Sequence, residues 1–102
     1  MEVVLTIKFD GKNFKDGSKT VANYYNDKIY EGSSRSKALC NIYGDKVYEG
    51  TSRSKQICNV YNDKIYEGSS RSKTLIKIKD AQKVVDGNMN DATIAAAWFV
   101  LK

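Results

Sequence analysis

The sequence predicts an all-β fold: five consecutive β-hairpin repeats of about 18 residues, set around a pseudo-symmetry axis and closed by an apolar C-terminal segment. Three observations predict it. One phrase is spelled three times, as YNDKIYEGSSRSK at 25–37 and 61–73 and as YGDKVYEGTSRSK at 43–55. The resulting 18-residue period is too short for a helix pair, which takes roughly 33–47 residues, and it suits two short strands with two turns. The composition agrees, with seven Tyr, frequent Ile and Val, and no Pro, because β-branched and aromatic side chains fit a pleated surface.

The chain reads as one domain, 1–102, with units at about 3–19, 20–37, 38–55, 56–73 and 74–92 and a closing segment at 93–102. Unit one, VVLTIKFDGKNFKDG, is an apolar strand, a DG turn and an aromatic return, with Phe9 and Phe14 in place of the tyrosines. The three clear units follow one plan. In QICNVYNDKIYEG, residues 56–68, a β-rich strand runs into the pair Asn62-Asp63 and returns as KIYEG. The first turn position is Asn26, Gly44 and Asn62 in the three copies. Asn and Gly best tolerate the positive φ of a tight hairpin turn, so a backbone demand explains that swap better than a ligand does. A two-residue loop sets Val60 opposite Ile65 and Asn59 opposite Tyr66. The polar run SSRSK then turns the chain into the next hairpin. The fifth unit, TLIKIKDAQKVVDG, is degenerate, with a turn at 80–82 and one inserted residue, as terminal repeats often are.

The segment TIAAAWFVLK, 93–102, is apolar from Ile94 to Leu101 and is expected to be buried. Its alanines fit a short helix. Its place in the pattern favours a strand, which could pair with EVVLTIKF near the N-terminus and cover an open sheet edge. Cys40 and Cys58 hold the same position in successive units and read as two small buried apolar residues.

Successive hairpins of the form I-Y-n-D-K-I-Y-E-G, ending in the apolar tail Ala95, Ala96, Ala97, Trp98 and Phe99, resemble the small bacterial β-flower domains. The resemblance runs from Val3 to Lys102. It implies hairpin petals around an axis, in the four- or five-fold versions of that family, and it implies no catalytic residue, metal ligand or cofactor. The petals here end in Tyr-Glu-Gly, a departure from a plainer Gly-rich pattern.

An enzyme is not expected. The chain has no His, so a Ser or Cys nucleophile lacks its usual base, and the recurrent Asp and Glu suit turns and solvent faces. No metal or cofactor is expected either. The net charge is +5, spread as +1 over each unit of the pattern. A basic balance makes a polyanion, nucleic acid included, a candidate partner. The candidate anion-binding residues are Arg35, Lys37, Arg53, Lys55, Arg71 and Lys73, two in each S-x-R-S-K turn, which share one rim if the petals form a ring. Tyr30, Tyr48 and Tyr66 are candidate stacking platforms if exposed. Glu31, Glu49 and Glu67, four residues before the arginines, could neutralise them. The function expected is that of a non-enzymatic binding or structural module, for a protein partner or a second copy of the chain. Polyanion binding is the alternative, and carbohydrate binding through the tyrosines a further one. The sequence begins without a secretory signal and has no membrane-length apolar run, which makes the cytoplasm the expected location.

Overall fold

The structure is a computed structural model and describes residues 7–101. It is mostly β. Ten strands form one sheet in the order β10-β1-β2-β3-β4-β5-β6-β7-β8-β9. Strands β1 (Ile7–Phe9), β2 (Asn13–Asp16), β3 (Lys19–Tyr25), β4 (Lys28–Glu31), β5 (Ala38–Tyr43), β6 (Lys46–Glu49), β7 (Gln56–Tyr61), β8 (Lys64–Glu67) and β9 (Thr74–Lys77) pair antiparallel with their chain neighbours. The short helix α1 (Ile78–Val84) then leads to β10 (Val85–Asp86), which pairs parallel with β1. The last element is helix α2 (Asp91–Leu101). The molecule measures 37 × 36 × 22 Å, the proportions of a disc.

Each repeated phrase forms a petal. In the third, Val60 faces Ile65 and Asn59 faces Tyr66, as the two-residue loop requires. Asn26 and Asp27 have φ of 52° and 62°, and Asn62 and Asp63 of 53° and 64°, so both loop residues are left-handed, as in a type I′ turn. In the middle petal Gly44 has φ of 61° and Asp45 does not share the left-handed region, which matches type II′. The Asn-to-Gly swap therefore changes turn type while keeping the register.

A β-bulge joins each petal to the next. One extra residue, Val21, Leu39, Ile57 or Leu75, is inserted on the incoming strand, at the register shifts Phe14/Lys15, Ile29/Tyr30, Val47/Tyr48 and Ile65/Tyr66. Bulges raise local twist and bend the strand, and one at every junction curls the sheet. The petals are also laced at their tips. Ile42 N–H donates to Asp27 O at 2.7 Å, Val60 to Asp45 O at 2.9 Å and Ile78 to Asp63 O at 2.9 Å.

Residues 93–101 of the closing segment are not the strand expected. Asp91–Leu101 is helical and packs on β5, β6, β7, β10 and α1. Asn90 caps it, its side-chain oxygen accepting from Thr93 N–H at 2.8 Å. The edge that a closing strand would have covered is taken by β10, through Ile7 opposite Val85 and Lys8 opposite Asp86. The residues of EVVLTIKF before Ile7, and Lys102, lie outside the described residues. Residues 92–97 of the helix are buried and 98–101 half-buried, so the apolar run is largely covered by the sheet and α1. Ala95, Ala96 and Ala97 are fully buried. Cys40 and Cys58, on two of the strands that touch α2, are fully buried and not joined in a disulfide.

The fifth hairpin is also not one. Its expected turn, 80–82, is part of α1. Asp80-Ala81-Gln82 offers no Gly or Asn for a left-handed turn, whereas Ile78, Ala81 and Val85 share a helical spacing and are buried. Lys83 and Asp80 form an ion pair at 3.6 Å along the helix. After β10, Gly87 holds φ of 146°, and a Cβ there would lie 2.6 Å from the Phe9 carbonyl oxygen. This glycine marks a close backbone approach and does not correspond to the turn glycines of the petals.

Candidate polyanion-binding rim

The S-x-R-S-K runs fold back over the outer face of their own petals. A buried asparagine under each run sets that path. Asn23 donates to the carbonyls of Gly32 and Ser34, both at 2.9 Å. Asn41 repeats the pair with Gly50 at 2.8 Å and Ser52 at 2.9 Å, and Asn59 with Gly68 at 2.8 Å and Ser70 at 3.0 Å. The three asparagines are at most 5% exposed. One side-chain amide has two N–H donors, and each of these spends both on backbone carbonyls of the run. The flanking serines close it further, through Ser34–Ser36, Ser52–Ser54 and Ser70–Ser72 hydroxyl pairs. Among the described residues, no buried side-chain polar atom lacks a partner.

With the run fixed, its arginine lies over the first tyrosine of the petal. The guanidinium carbon of Arg35 is 3.7 Å from the Tyr25 ring centre, that of Arg53 4.0 Å from Tyr43, and that of Arg71 3.7 Å from Tyr61. Such contacts are worth about 0.5–1 kcal/mol at exposed sites, and they hold the guanidinium plane while its N–H edge stays free to grip an anion. These tyrosines are the exposed ones, at 50%, 55% and 50%. The expected platforms are less accessible. Tyr30 and Tyr48 are half-buried and Tyr66 is 9% exposed. Each stands opposite an anchoring asparagine, in the pairs Asn23–Tyr30, Asn41–Tyr48 and Asn59–Tyr66.

The lysines of the runs behave differently from the arginines. Lys55 pairs with Glu49 and Lys73 with Glu67, each at 3.8 Å, while Lys37 is exposed. Two of the three glutamates thus face a lysine, and none of the three pairs with an arginine. Among the described residues, no salt bridge involves Arg35, Arg53 or Arg71. Between the first and second petals the rim deepens into a cleft of about 460 Å³, walled by Asn26, Asp27 and Lys28 on one side and by Tyr43 and Arg53 on the other. Equivalent points on successive petals are two strands apart, so neighbouring stacks are spaced by roughly 10 Å.

A family model described as 6-fold beta flower protein matches residues 2–97. The chain belongs to that family. The four- or five-fold count expected from the sequence gives way to six in the family description. No curated protein and no solved structure matches the chain. Family membership gives this beta flower its architecture and assigns it no ligand. Among its described residues, no helix is long and apolar enough to cross a membrane.

Proposed function

We propose that this beta flower is a non-enzymatic binding module that holds an anionic polymer along its rim of arginine–tyrosine stacks. The observation that carries this reading is the threefold recurrence of an exposed guanidinium held over a ring and, among the described residues, in no salt bridge. A purely structural repeat would gain from pairing those arginines with the glutamates nearby. Here Glu49 and Glu67 face lysines instead. Phosphate, sulfate and carboxylate groups suit the guanidinium edge, and several weak contacts along one polymer combine through effective concentration. Arginine already occupies a face of each exposed tyrosine. That favours contact with the polymer's charged groups over stacking of bases or sugar rings, and binding with little sequence preference.

Retention on heparin and on immobilised single-stranded DNA tests this. The wild-type protein is expected to be retained at low salt and to elute as salt rises. The triple variant Arg35→Ala, Arg53→Ala, Arg71→Ala is expected to elute early from both. Wild-type protein that flows through, or a triple variant retained like it, refutes the proposal.

A further inference from the structure

A second cleft, of about 500 Å³, opens where the repeat pattern breaks, between the third petal's tip and the start of α1. Lys64, Lys77, Lys79 and Gln82 line it, with Asp63 and Asp91. Strand register makes this place unlike its counterparts. At the two earlier junctions a lysine stands opposite an anchoring asparagine, Lys28 opposite Asn41 and Lys46 opposite Asn59. At the seam Lys64 stands directly opposite Lys77. Like charges directly opposed across an antiparallel pair are destabilising. Position 77 is where the repeat would have its asparagine, and β9 runs on into α1, so there is no S-x-R-S-K run for an asparagine to anchor. That explains why asparagine is dispensable here. It does not explain a second ammonium group, nor a third at Lys79.

Among the described residues, none of the three lysines is in a salt bridge. Among the described residues, neither aspartate is in a salt bridge with these lysines. Asp63 is a left-handed turn residue, like Asp27 in the first petal. Asp91 opens α2, where a carboxylate favours the helix end. Three lysines against two aspartates leave the cleft with a positive surplus, and its volume is that of a small-molecule site.

We infer that the seam cleft binds a small phosphorylated molecule, with its phosphate group set between Lys64 and Lys77 and within reach of Lys79 and Gln82. The bound anion supplies the counter-charge that the register leaves unmet. The site is separate from the arginine rim, so its test does not depend on polymer binding.

The experiment is thermal unfolding with and without millimolar pyrophosphate, on wild type, Lys77→Asn, Lys64→Gln and the triple arginine variant. Lys77→Asn restores the residue of the other petals. Without pyrophosphate it is expected to unfold at or above the wild-type temperature, because the opposed charges are gone. Pyrophosphate is expected to raise the wild-type unfolding temperature by several degrees, and titration to show about tenfold or greater weakening in Lys77→Asn and Lys64→Gln. The triple arginine variant is expected to keep the response. No shift in wild type, an equal shift in both lysine variants, or a response lost with the arginines each overturns the inference.

Discussion

Asn41 shows how much one residue does here. Its two N–H donors meet the carbonyls of Gly50 and Ser52, and that places Arg53 over Tyr43. Asn41→Ala is expected to destabilise the fold by about 1–3 kcal/mol, since buried carbonyls lose their donors. Asn41→Asp is expected to cost more, because it sets acceptors against acceptors. Urea unfolding of the three proteins gives the order. Equal stability would remove the anchor from the account. Cys40 behaves as a core residue with a titration. Burial, helped by the neighbouring Cys58 thiol, pushes its pKa up to about 12 from an ordinary 9.0. The folded state therefore keeps a proton that the unfolded state releases. This contribution to stability is complete below about pH 9 and is lost as pH rises towards 12. The native protein is expected to resist alkylation at Cys40 at pH 8 and to lose stability through that alkaline window. Rapid native labelling of Cys40 would contradict its burial.

At the scale of elements, petals and helix obey different rules. Petals depend on their loops, bulges and anchored runs. Helix α2 depends on being thin. Ala96 is fully buried on a helix touched by several strands, so Ala96→Leu is expected to cost about 1–3 kcal/mol or more by overpacking, measured as a lowered denaturation midpoint with an unchanged slope. The same contrast decides what the sequence discloses. Turn residues are local, and Asn26, Gly44 and Asn62 mark petals that the structure reproduces to the residue pair. A continuous apolar run has no period, so Ile94–Leu101 cannot be told from a buried strand by pattern alone. The cap at Asn90 was the signal to weigh. In α1 and the residue that follows it, a helical spacing lies in Ile78, Ala81 and Val85, which alignment to a hairpin hides. At the rim the arginines were readable. The ring each uses was not, because it depends on an asparagine reaching over residues eleven positions away to fix the run.

For the whole molecule, the sheet order places three equivalent stacks on successive hairpins, and the phrase YNDKIYEGSSRSK, with its variant at 43–55, encodes both brick and contact. The first eight residues supply turn, strand and ring, and the last five supply the guanidinium. If the rim holds a polyanion through these arginines, binding is electrostatic and multivalent, and its salt dependence counts the charges engaged. The decisive measurement is the slope of log affinity against log salt for a single-stranded oligonucleotide, taken for wild type and for variants with one, two and three of the arginines replaced by Ala. The account predicts that the slope becomes shallower with each replacement, by about 0.7 per arginine. A slope unchanged across the series would contradict it.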